Sequence, residues 1–161
     1  FWPLRVAREL DDAILHLRAN EPELGLIVFR TEGDAALVLA HDAFLEAQAS
    51  DWFIREVRHY LKRVLKRVDM TSRSLVALIE PGSCFAGTLA ELAFAADRSV
   101  MFSGARDGDN RPPAAITLSP LNFGAYPMGN GLTRLATRFL GEPDSVERAR
   151  AAVGTALEAE E

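Results

Sequence analysis

The chain has 161 residues, 48% hydrophobic and 25% charged, a composition ordinary for a soluble globular domain and a length sufficient to bury a core. Its net charge of -5 weighs against a general nucleic-acid binder, which must neutralise many phosphates, and no apolar run approaches the roughly 20 residues that span a bilayer. A single cysteine excludes an internal disulfide and fits a reducing, cytoplasmic setting.

Residues 1–161 read as one domain. Both ends look cut. Phe1 and Trp2 are large apolar residues where a free end is usually polar, and "DSVERARAAVGTALEAEE" reads as a helix that stops. The expectation is a fragment of a longer protein; "FWPLRV" carries no signal-peptide pattern.

In chain order, "VARELDDAILHLRAN" places Val6, Leu10, Ile14, Leu15 and Leu17 near helical spacing, broken at Asn20 to Pro22. "LGLIVFR" (Leu24 to Arg30) predicts a buried strand, "TEGD" a turn, and "AALVLA" (Ala35 to Ala40) a second strand. A long helix follows, with Phe53, Val57, Tyr60, Leu61, Val64, Leu65 and Val68 on one face. "SLVALI" (Ser74 to Ile79) predicts a third strand, ended by "EPGS". Next come a helix within "CFAGTLAELAFAAD", a strand in "SVMFS", a polar loop in "GARDGDNRPP" and a strand in "AAITL". "NFGAYPMGNG" is glycine-rich and irregular; "LTRLATRFL" predicts a helix that stops at Gly141, and Pro143 opens another. The pattern is α/β, built from strand-strand-helix units.

Arg55, Arg58, His59, Lys62, Arg63, Lys66 and Arg67 form a basic set on the long helix. A solvated face is favoured there over a phosphate site. His16, His41 and His59 lack metal-ligand spacing, so no metal site is expected. Cys84 precedes a helix start, where a thiol could be activated, but no partner histidine is marked and a small buried role is favoured. Gly87 and Thr88 open that helix; free amides there could stabilise an oxyanion, and small residues there are also ordinary packing. Glu91 has two readings. "TLAE" matches a capping box in which Thr88 caps the helix and Glu91 reaches back to the Thr88 amide; the alternative is an acid or base in an apolar site. The cap is preferred, so Glu91 is expected to be mainly structural.

Three stretches, in this order, resemble the crotonase (enoyl-CoA hydratase/isomerase) family: "GLIVFRTEGDAALVLAHD", "SLVALIEPGSCFAGTLAELAFAADRSVMF" and "FGAYPMGNGLTRLATRFLG". Within it, "IEPGSCFAGTLAELAFAADRS" looks closest to a ring-opening group whose members carry two crotonase-like segments, and this chain looks like the second. The resemblance implies a crotonase-like spiral of strand-strand-helix units. It implies a lyase acting on a CoA thioester, opening an oxygenated, dearomatised benzoyl-CoA ring with release of formate. CoA would arrive as part of the substrate, with no further cofactor. The implied partners are the substrate, a second crotonase-like segment of the parent chain and a homo-oligomer, with no nucleic acid and no membrane. The implied oxyanion donors are the backbone amides of His41 and of Gly87 or Thr88; Glu91 takes the position of the first catalytic glutamate, and Cys84, Ser119 and Asn122 would line the site. This chain departs from the family pattern at "AGTL", with one glycine, at "LAHD", and at Ser119 or Pro120, where a second glutamate would fall. The alternative is therefore a catalytically degenerate copy, a structural domain packing on a catalytic half.

Overall fold

The computed structural model describes residues 1–104 and 107–160. Ala105 and Arg106, inside the expected polar loop, lie outside the described residues. Helix α1 (Trp2–Asn20) starts at Trp2 rather than Val6, since Pro3 in the first turn needs no amide partner. The aromatic start is used: Phe1 meets Phe44 and Phe53 at ring distances of 6.0 and 5.9 Å, and Trp2 stacks on His41 at 5.1 Å.

Strand β1 (Leu26–Phe29) matches expectation, but the next element does not. "AALVLA" begins helix α2 (Ala35–Ala47), not a strand. The Asp34 carboxylate accepts from the Ala36 amide at 2.8 Å and caps this helix, and alanine-rich sequence sustains it. Its buried residues, Val38, Asp42 and Leu45, recur at helical spacing. Helix α3 (Trp52–Asp69) is capped by Asp51, which accepts from the amides of Phe53 and Ile54 at 2.9 and 3.1 Å. It buries Ile54, Val57, Leu61, Val64, Leu65 and Val68. Each such aliphatic contributes roughly 1.5–3 kcal/mol. Ile54, not Phe53, begins the buried stripe. Two helices thus separate β1 from the next strand, in place of a strand and a helix.

Strand β2 (Ser74–Ile79) pairs in parallel with β1 and with β4 (Arg98–Met101). Between them lie the short strand β3 (Phe85–Ala86), a 3-10 turn (Gly87–Leu89) and helix α4 (Ala90–Ala95). Strand β5 (Ile116–Thr117) pairs in parallel with β3, and a second 3-10 turn follows at Pro120–Phe123. Helices α5 (Arg134–Arg138) and α6 (Pro143–Ala151) complete the helical set. The expected terminal helix stops at Ala151, and the chain turns through Gly154 into β6 (Ala156–Leu157), antiparallel to β5.

The pleat of the β1-β2-β4 sheet separates its residues cleanly. Phe29, Leu75, Ala77 and Ile79 enter the core with the buried residues of α3, with Ile27 and Met101 packed against them. On the other face Leu26, Val28 and Val100 are 52%, 47% and 52% exposed. Parallel sheets are normally covered on both faces, so this apolar face is unpartnered among the described residues. Among the described residues, no helix is long and apolar enough to cross a membrane.

Candidate functional site

The turn after β3 brings Thr88, Glu91, Ser119 and Asn122 into one buried polar cluster, with partners from α2, α3 and α5. Gly87 begins the 3-10 turn at φ +47, a left-handed conformation that glycine adopts without strain. The Thr88 amide donates to Asp42 Oδ2 at 2.8 Å, and the Thr88 hydroxyl donates to Asp42 Oδ1 at 2.5 Å. Ser119 Oγ donates to Asp42 Oδ2 at 2.7 Å. With its proton committed to Asp42, the Thr88 hydroxyl accepts from Tyr126 Oη at 3.2 Å. The Thr88 amide, an expected oxyanion donor, is therefore held by a carboxylate of the same chain.

Asp42 is 1% exposed. Burial pushes its carboxyl up, and the hydrogen bonds from Thr88 and Ser119 pull it back. Burial and the Asp42 charge also push the Tyr126 phenol up. Because the folded value of Asp42 is raised, its contribution is fully present below the ordinary carboxylate value of about 3.9 and is lost as pH rises through the folded value. The stability gap between wild type and Asp42→Asn is therefore expected to narrow from about pH 3 to pH 7. Urea unfolding at each pH measures it; a gap that widens with pH would contradict this placement.

Glu91 is 2% exposed, and both of its oxygens are taken. Asn122 Nδ2 donates to Oε1 at 2.7 Å and Arg134 Nη1 donates to Oε2 at 2.7 Å. The Arg134 fork reaches Asp69 as well, Nε to Oδ1 at 2.9 Å and Nη2 to Oδ2 at 2.7 Å. Burial pushes the Glu91 carboxyl up, against Arg134 and Asn122. The capping box expected between Thr88 and Glu91 does not form. Helix α4 has Leu89 at its N-cap with no side-chain cap, because Thr88 turns to Asp42 and Glu91 to Arg134. The capping box is instead Ser119 with Asn122, around the second 3-10 turn, where Asn122 Oδ1 accepts from the Ser119 amide at 2.8 Å. Asn122 Nδ2 also donates to the Gly87 carbonyl at 3.0 Å, tying that turn to the first.

The other expected residues fall elsewhere. His41 lies inside α2, where helical pairing engages its amide, so it is not the loop residue that the first oxyanion position needs; its ring stacks on Trp2. Cys84 is buried beside Val38 and Ala86, and burial pushes its thiol up. On the basic face of α3, Arg55, Arg58, His59 and Lys62 line a groove of about 310 Å³ against Gly124, Ala125 and Pro127. The sequence reading missed Asp42, Asp69, Tyr126 and Arg134 as members of the cluster. Asp42 stands inside the quoted "LAHD", and Tyr126 and Arg134 inside "FGAYPMGNGLTRLATRFLG"; no local signal marks Asp69.

No family model matches the chain. Over 157 residues it is 52% identical to a benzoyl-CoA-dihydrodiol lyase of Aromatoleum evansii. The similarity covers 98% of this chain and 27% of that relative, so the chain spans about a quarter of the relative's length.

Proposed function

We propose that this chain is a segment of a CoA-thioester lyase similar to benzoyl-CoA-dihydrodiol lyase. The parent opens an oxygenated, dearomatised benzoyl-CoA ring with release of formate. The carrying observation is 52% identity across 98% of the chain. In this reading the chain adopts part of a crotonase-like spiral and packs, through the open face of its parallel sheet, on the remainder of the parent.

Within the parent, this segment supports rather than performs the chemistry. Hydrolytic ring opening needs an activated carbonyl and groups that move protons to and from water. Here the Thr88 amide is bonded to Asp42, and Glu91 is bonded to Asn122 and Arg134. At the place of a second acid, Ser119 is also bonded to Asp42. Glu91 thus serves as the anionic partner of Arg134, linking α4 to α5. The catalytic groups belong to the rest of the parent.

The test compares the 161-residue chain with its full-length parent on an oxygenated benzoyl-CoA, following formate release. The parent should turn over and the isolated chain should not, since missing acid–base groups alone cost about 10²–10⁴-fold. Multiple turnovers by the isolated chain would overturn the supporting role; a parent that releases no formate would overturn the lyase reading.

A further inference from the structure

The basic residues of α3 divide by what they meet. Arg67 pairs with Asp11, and Arg63 lies over the Tyr60 ring at 5.6 Å. Among the described residues, no ion pair or side-chain hydrogen bond reaches Arg55, His59 or Lys62, and Arg58 has a single 3.5 Å contact, to the Leu45 carbonyl. Those four line the groove of about 310 Å³, opposite Ala49, Gly124, Ala125 and Pro127. No carboxylate lines it, although acids outnumber Lys and Arg in the whole chain by 23 to 18. Positions 55, 58, 59 and 62 are linked by i,i+3 and i,i+4 steps, so their side chains are neighbours, and like charges at these spacings repel. On a convex face such side chains spread into water. Here a wall of small residues and a proline stands opposite them, and the cations share one concavity. The face expected to be simply solvated therefore has the form of a site.

We propose that this groove binds the diphosphate group of a small molecule, with Arg55, Arg58, His59 and Lys62 as its donors. Its volume lies at the low end of small-molecule sites. The net charge of -5 opposes a nucleic-acid strand, which needs a long basic track. From Arg55 to Lys62 the row runs about 10 Å along the helix axis. One phosphate would engage one turn of it, whereas two linked phosphoryl groups engage both. Arginine and lysine donate charge-assisted hydrogen bonds to phosphate oxygens. The opposite wall leaves room: a Cβ added at Gly124 would meet nothing within 4 Å. The inference stands on the groove and does not depend on the parent's reaction.

The 161-residue chain is titrated with inorganic pyrophosphate by calorimetry in about 0.15 M sodium chloride. A one-site isotherm with a Kd below about 1 mM is expected, and inorganic phosphate and citrate should bind about tenfold more weakly or worse. ADP separates the two sources of the group: binding at least as tight as that of pyrophosphate assigns the groove to a diphosphate ester, and weaker binding assigns it to the free anion. Arg55→Gln with Lys62→Gln removes two charges that have no partner in the fold, and should weaken pyrophosphate binding about tenfold or more. Arg63→Gln with Lys66→Gln removes the same charge from the same helix outside the groove, and should change Kd by less than about threefold. Equal losses in the two double variants, or citrate as tight as pyrophosphate, would overturn the proposal in favour of an unspecific basic face. Absence of saturable pyrophosphate binding would overturn it as well. Backbone amide NMR gives the location: shifts on pyrophosphate addition should centre on Gly124, Ala125 and the first two turns of α3. Shifts confined to other parts of the chain would overturn the assignment.

Discussion

Replacing Arg134 by methionine is expected to lower stability by about 3–5 kcal/mol, the usual loss when a buried ion pair keeps its charges and loses a partner. Arg134 is 1% exposed and is the cation between two buried carboxylates, Glu91 and Asp69. It also donates to the Tyr126 carbonyl at 3.0 Å. Without it, the end of α3 and the start of α4 face each other with like charges in a dry interior. Arg134→Lys should fall between wild type and Arg134→Met, because an ammonium keeps the charge but loses the planar fork that reaches both carboxylates. Urea unfolding of the three proteins measures the order. A loss below about 1 kcal/mol for Arg134→Met, a size typical of surface pairs, would show that the network does not hold the fold as described.

Gly87→Ala is expected to cost about 2–5 kcal/mol, combining about 1–2 for a left-handed alanine with about 1–3 for overpacking. Both causes are visible at this position: φ is +47, and the added methyl would sit 2.1 Å from Asp42 Oδ2. The second cause predicts coupling. In Gly87→Ala with Asp42→Gly the clash is gone, so the double variant should lose less stability than the sum of the single changes, by about 1 kcal/mol or more. Additivity within about 0.5 kcal/mol would place the Asp42 carboxylate away from the turn.

The long amphipathic helix and the strand Ser74–Ile79 were legible because their periodicity is strong and their ends are marked. Asp51 caps α3, and a glycine turn follows β2. "AALVLA" was misread because six apolar residues fit a buried strand or a helix face equally well. What decides is Asp34, which lies in the preceding turn and caps the helix. In the site, "TLAE" had the spacing of a local cap, yet partners distant in sequence won both residues. Asp42 takes Thr88, and Arg134 and Asn122 take Glu91. Burial explains that outcome, since a buried carboxylate needs a cation or several donors, and an exposed helix start offers less. Sequence spacing carries no record of such pairings, so the capping partner expected for Glu91 is not the one the fold supplies.

The proposed role of Glu91 as a structural anion is tested most directly by Glu91→Gln in the full-length parent. The amide can still accept from Arg134, and Arg134 keeps its ion pair with Asp69. The new NH₂ meets the Asn122 donor, so about 1–2 kcal/mol of stability should be lost. Turnover per folded molecule is read as formate release beside unfolding in urea. Turnover is expected to stay within a few-fold of wild type. Abolished turnover in a protein that stays fully folded, a fall of 10²-fold or more of the kind general acid–base groups supply, would contradict it.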